Sequence, residues 1–136
     1  MHHLFRHCLI VAFFAVASAY GALAADPVIA VQDQRVESGN IVKVQEVTSP
    51  GNGFLVIHTG PDAAEAKPGT AIGYAIVNSG SNSNVSVKLE QDVKSGEKLV
   101  AVLHEDAKAD GMFDADADKP LAKPDGATCM AEFKAK

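Results

Sequence analysis

The sequence has no tryptophan and only two cysteines, Cys8 and Cys129, which limits how the fold can be stabilised. Because Cys8 belongs to an N-terminal apolar segment described below, Cys129 has no partner for an internal disulfide in the rest of the chain. The Cys…Trp…Cys pattern of a true immunoglobulin domain is also excluded. We expect Cys129 to be a small buried side chain, as free cysteines usually are, and an intermolecular disulfide is the alternative.

Basic residues are scarce relative to acidic ones. The chain has 12 Lys and Arg against 17 Asp and Glu, and without Arg6 the balance is 11 against 17. The acids concentrate in the second half, and no basic patch interleaved with aromatic residues is present to hold phosphates. We therefore expect no nucleic-acid partner.

The usual local motifs of catalysis are also missing. The sequence has no G-x-S-x-G, no H-E-x-x-H, no glycine-rich phosphate loop at the start of a helix, and no cysteine beside a plausible base. We therefore predict that the protein is not an enzyme. A hydrolase whose catalytic residues come from distant loops is the remote alternative, because such a site leaves no local motif.

Only one long apolar run is present, and it lies at the N-terminus. A short basic start leads into the apolar segment from Cys8 to Ala19, which is too short to span a bilayer comfortably. The small residues of Ala22-Leu23-Ala24 then match a signal-peptidase site. We predict a signal peptide over residues 1–24, cleaved before Ala25, with a retained anchor as the alternative. The mature chain would be secreted, periplasmic or at the cell surface, without a transmembrane segment.

The remaining residues, 25–136, are of a length that suits one domain. They show short β-branched runs separated by turn residues and no convincing helical period. The predicted strands are Val28 to Val36, Ile41 to Thr48, Phe54 to His58, Ala71 to Val77, Val85 to Leu89, Leu99 to His104 and Thr128 to Lys134. Thr59 to Thr70 and Asn78 to Asn84 are predicted as loops. Seven strands without helices indicate an all-β, two-layer antiparallel, immunoglobulin-like sandwich, with a small barrel as the alternative.

A string of spaced acids follows the sixth predicted strand. Counted from Asp106, an EF-hand-like register places Asp110 fifth, Gly111 sixth and Asp114 ninth. Lys108 stands third, where an oxygen is needed, and no acid stands twelfth unless Asp116 or Asp118 replaces it. The alternatives are a weak calcium site formed by Asp106, Asp110 and Asp114, or a solvated hairpin that turns at Asp110-Gly111.

Two histidines each end an apolar strand, His58 in FLVIH and His104 in LVAVLH. If these strands end on the same side of the sandwich, the two imidazoles approach each other, with Asp106 nearby. Two histidines and a carboxylate hold zinc, copper or iron in many proteins. The alternative is that each histidine bonds a loop carbonyl or an acid. No cofactor other than such a calcium or transition-metal ion is expected.

The chain resembles a family of secreted β-domains of unknown function that occurs on haloarchaeal surface glycoproteins and in small exported bacterial proteins. The resemblance rests on VQDQRVESGNIVKVQEV, GFLVIHTG, AIGYAIVNSG, NVSVKLE and LVAVLHEDAKADGMFDADADKPL. The family pattern of a strand-end histidine, an acid, and a glycine turn with an aromatic residue matches His104, Asp106, Gly111 and Phe113. Phe54 stands where the family often has Trp, and Lys108 where it tends to have Asn or Asp. The resemblance implies export and an immunoglobulin-like fold.

These observations favour an exported, non-enzymatic binding or structural module. We expect its working face to be a strand-end rim that carries His58, the loop from Thr59 to Thr70 and the loop from His104 to Pro120, since loops on a rigid sandwich are common binding sites. Another exported protein or a cell-surface component is the expected partner.

Overall fold

The computed structural model describes residues 25–36, 39–60 and 70–136. The proposed signal peptide and most of the loop predicted from Thr59 to Thr70 lie outside these residues. The described chain forms seven strands: β1 (Val28–Ala30), β2 (Ile41–Ser49), β3 (Gly53–Thr59), β4 (Ala71–Val77), β5 (Gly80–Lys88), β6 (Lys98–Glu105) and β7 (Met130–Lys134). The described residues include no helix, and so none long and apolar enough to cross a membrane.

The strands form two antiparallel sheets, which confirms the predicted all-β sandwich. One sheet has the order β1-β2-β5 and the other the order β4-β3-β6-β7. The fourth strand pairs with the third, whereas in a constant immunoglobulin domain it joins the sheet of the first two strands. The segment after β1 reaches the second sheet, because Gln34 forms a parallel bridge to Ala135 beyond β7.

The main core lies between the two sheets and follows the alternation of the strands. On β2, Val42 and Val44 alternate with exposed residues and Val47 lies out of this phase, and all three are fully buried. The apolar residues of this core come from both sheets and include Leu55, Ile57, Val87, Leu89, Leu99, Leu103, Cys129 and Phe133. Cys129 is thus the small buried side chain that we expected.

The four-stranded sheet is buried on both faces at its centre. Phe54, Val56, Val100 and Val102 point away from the main core and are still no more than 1% exposed. We call this side of the four-stranded sheet the outer face. The sequence FLVIH is apolar on both faces of the strand, which predicts a central position in a sheet, and β3 confirms this because it lies between β4 and β6.

Two strand predictions were wrong in extent. The first strand ends at Ala30 and not at Val36. The polar stretch from Asn78 to Asn84 is largely strand, because β5 begins at Gly80 and pairs with the end of β2. Its polar side chains find partners there: the Ser81 and Ser83 hydroxyls both donate to the Glu46 carboxylate.

Candidate functional site

Loop 106–120, the acidic segment after β6, is docked on the outer face of the sheet. The Phe113 ring lies 5.7 Å from the Phe54 ring, 5.6 Å from Tyr74 and 5.1 Å from His104, measured between centroids. The return segment pairs with the end of β6 through a bridge between His104 and Pro120. The alternative of a solvated hairpin that turns at Asp110-Gly111 describes only part of the loop: Asp110 is exposed, whereas Phe113 packs against the sheet.

Asp118 organises the interior of this loop. It is fully buried, and its two carboxylate oxygens accept hydrogen bonds from the backbone N–H groups of Ala107 and Asp114, both at 2.8 Å. These bonds give partners to two backbone donors in a partly buried part of the loop. The sequence offered Asp118 only as a substitute calcium ligand, and nothing in the run DADAD distinguishes the buried acid from its exposed neighbours.

The acids proposed as calcium ligands are engaged within the loop. Asp106 accepts from the backbone N–H groups of Asp110 and Gly111, and Asp110 accepts from Met112. Asp114 accepts from the N–H of Asp116 and from the Lys108 ammonium, 2.7 Å away. The Lys108 contact holds the pKa of Asp114 below its ordinary value and raises the pKa of Lys108.

These acids do not form a metal cluster in this structure. Among the described residues, no group of three or more His, Cys, Asp or Glu side chains is placed to hold a metal ion. The weak calcium site formed by Asp106, Asp110 and Asp114 stays a prediction, with a lysine in contact with its third ligand.

The structure brings His58 and His104 together, although their strands do not end on the same side of the sandwich. Because β3 and β6 are antiparallel, His58 pairs with Val100 while His104 pairs with Phe54, so the two strands end at opposite ends of the sheet. Both side chains nevertheless lie on the outer face, where their ring centroids are 5.6 Å apart and their planes are inclined by 22°.

The environment of His104 is the better defined of the two. Its Nδ1 lies 2.8 Å from the carbonyl oxygen of Asp118, and its Nε2 is buried without a hydrogen-bond partner among the described residues. Burial lowers the pKa of His104; the carbonyl of Asp118 opposes this change, and nearby His58 adds to it. The bond to a backbone carbonyl is the alternative that we predicted for a strand-end histidine, and Asp106 accepts hydrogen bonds from N–H groups within the loop.

The single rim that we predicted is not formed. The segment after β3 leaves the sheet beside Leu99, whereas loop 106–120 leaves it beside Gly53, at the opposite end. The antiparallel pairing of β3 with β6 separates these exits. What the sequence did not indicate is that loop 106–120 folds back over the outer face.

The surface beside the docked loop is partly apolar. Tyr74 and Ile76 on β4 are 42% and 61% exposed, and Met112 in the loop is 67% exposed. Two shallow cavities flank the loop. One, of about 240 Å³, includes Ile76 and Asp106, and the other, of about 290 Å³, includes Tyr74 and Phe113. Tyr74 and Ile76 are two positions apart in the sequence, which indicates that they share a face of β4. The sequence does not show that β4 is the edge strand of its sheet.

Comparison with known proteins gives one match. The family model described as a domain of unknown function (DUF7282) matches residues 27–136. No curated protein and no solved structure matches the chain.

Proposed function

We propose that this chain, which belongs to the DUF7282 family, is an exported, non-enzymatic binding or structural module that presents loop 106–120 to a basic protein partner. The observation that carries the proposal is the docking of an acidic loop on a rigid sheet by the buried Asp118 and by Phe113. A loop that is already ordered loses little conformational entropy when a partner binds.

The charge of the loop indicates the class of partner. Residues 105–119 contain six acids, Glu105, Asp106, Asp110, Asp114, Asp116 and Asp118, and two lysines, Lys108 and Lys119. Asp118 is buried, and Lys108 neutralises Asp114, so Glu105, Asp110 and Asp116 are exposed acids without a cationic partner in the described structure. An acidic surface attracts cationic partners and raises the rate of encounter.

The apolar side chains beside the loop add to this surface. Ile76 and Met112 expose most of their area, and Tyr74 exposes nearly half. Exposed apolar groups surrounded by charge are common at protein interfaces. The proposed partner is therefore a segment that carries Lys or Arg together with apolar residues, on another exported protein or a cell-surface component.

Binding is tested with a deca-lysine peptide, with deca-glutamate as the probe of opposite charge. We expect deca-lysine to shift the backbone amide resonances of loop 106–120, and the shifts to fade as salt is raised, because exposed charges are screened. A double variant, Glu105→Gln with Asp116→Asn, should weaken binding about threefold to tenfold, since each exposed pair contributes at most about 1 kcal/mol.

The matched control is Asp26→Asn with Glu132→Gln, which removes two exposed charges outside the loop. It should leave the affinity unchanged apart from a small effect of net charge. Equal weakening by both double variants, or resonance shifts centred elsewhere, would refute a role for this loop.

Export is a separate part of the proposal and rests on the apolar run and the Ala22-Leu23-Ala24 site. N-terminal sequencing of protein recovered outside the cytoplasmic membrane should begin at Ala25. Recovery of the chain with Met1 intact, in the cytoplasm, would contradict it.

A further inference from the structure

His58 and His104 form a buried pair on the outer face of the four-stranded sheet. The two side chains are 8% and 5% exposed, and both Nε2 atoms are inaccessible to solvent. They project from neighbouring strands of one sheet, so their relative position is set by the backbone pairing of β3 with β6. A site on paired strands is more rigid than one on loops.

The hydrogen bond of His104 decides which of its nitrogens is available. A carbonyl oxygen only accepts, so the 2.8 Å contact with Asp118 places the ring proton on Nδ1 and leaves a lone pair on Nε2. Metal-bound histidines commonly donate their other ring N–H to a backbone carbonyl in this way. The buried Nε2 of His104 has no hydrogen-bond partner among the described residues, and a ligand there would supply one.

The separation of the rings suits a shared ion. Metal–nitrogen bonds are about 2 Å long and a ring centroid lies about 1.2 Å beyond its nitrogen, so two imidazoles on one ion have centroids at most about 6.4 Å apart. The observed 5.6 Å lies within this limit.

The donor set selects the ion. Two nitrogen donors exclude Ca²⁺, which needs several oxygens, and a Zn²⁺ site normally uses three or four protein ligands. No third His, Cys, Asp or Glu completes a cluster within the parts of the chain that the structure describes. Cu⁺ is satisfied by two imidazoles, and its single charge is the least costly to bury. We infer that His58 and His104 bind one Cu⁺ ion between them, with His104 using Nε2.

The electrostatic surroundings agree with this inference. The Asp118 carboxylate contributes a favourable potential for positive charge at the same ring. The site is independent of the basic partner proposed for loop 106–120, and either proposal can fail without the other.

The test uses a variant of the full chain in which His2, His3 and His7 are all replaced by Gln. These substitutions remove the N-terminal histidines, so that His58 and His104 are the only two left of the five in the sequence. Cu⁺ is supplied anaerobically as its coloured bicinchoninate complex, and transfer to the protein is followed by loss of colour. We expect one Cu⁺ per chain, and X-ray absorption should show two nitrogen ligands at about 2 Å.

Single variants then assign the ligands. His58→Gln and His104→Gln in this background should each weaken Cu⁺ binding at least about 100-fold, because each removes one of the two donors. To separate loss of a ligand from loss of the fold, histidine ¹⁵N resonances of the unsubstituted pair provide a second readout, and both rings should shift on addition of Cu⁺. Absence of Cu⁺ binding, retention by either single variant, or preferential binding of Zn²⁺ over Cu⁺ would overturn the inference.

Discussion

At the scale of single residues, Asp118 shows how one side chain organises a loop. Five of the six acids between Glu105 and Asp118 retain some exposure, whereas Asp118 is fully buried. Its carboxylate bonds two backbone N–H groups and its carbonyl accepts from His104. The same residue therefore fixes the shape of the loop and the tautomer of His104.

We predict that Asp118→Ala lowers the free energy of unfolding by about 1–3 kcal/mol, because two partly buried backbone donors lose their acceptors. Urea denaturation followed by circular dichroism measures the change. Asp116→Ala is the matched control; Asp116 is exposed, and its substitution should change stability by less than about 0.5 kcal/mol. Equal effects of the two substitutions would show that the bonds of Asp118 contribute little.

At the scale of elements, β3 is one of the two interior strands of the four-stranded sheet. It pairs with β4 on one side and β6 on the other, and residues 53–58 are all buried. This burial explains why its sequence is apolar without alternation. Gly53, at its start, lies so close to the carbonyl of His104 on β6 that an added methyl group would overlap it.

We expect Gly53→Ala to lower the free energy of unfolding by about 1–3 kcal/mol, since β3 and β6 would have to separate locally to admit the methyl group. Gly51→Ala serves as the control, because a methyl group there meets no atom within 4 Å and the backbone angle does not require glycine. Thermal or urea melting of the two variants measures the difference. Melting curves that coincide would contradict the close approach of the strands.

At the scale of the whole molecule, the four-stranded sheet is covered on both faces but by different kinds of structure. The three-stranded sheet covers the inner face with a contiguous apolar core. Over part of the outer face, the cover is loop 106–120, in which Phe113 contacts the rings of Phe54, Tyr74 and His104. A loop that covers the sheet with one aromatic side chain and a few hydrogen bonds is expected to open at lower free energy than the sandwich.

We predict that Phe113→Ala releases the loop and leaves the sandwich folded. Native-state hydrogen exchange should become faster at the amides of Ala107 and Asp114, which bond to Asp118, while the amides of β3 and β6 stay protected. Met112→Ala is the control, because the Met112 side chain is largely exposed. If the amides of β3 accelerate as much as those of the loop, the loop and sandwich unfold as one unit.

The sequence by itself determined the architecture, because strand periodicity and turn residues are local properties of the chain. It also identified β3 as a central strand and Cys129 as a buried side chain. The polar strand from Gly80 to Asn84 was predicted as a loop, because its stability comes from pairing with β2, whose Glu46 accepts from two of its hydroxyls.

Only the tertiary structure decided the arrangement of the candidate site. Antiparallel pairing of β3 with β6 sends the loops that follow them to opposite ends of the sheet, and it also places both imidazoles on one face. Burial of Asp118 likewise depends on how the loop folds back over the sheet. Contacts between residues distant in sequence follow from strand register and packing, neither of which a local pattern contains.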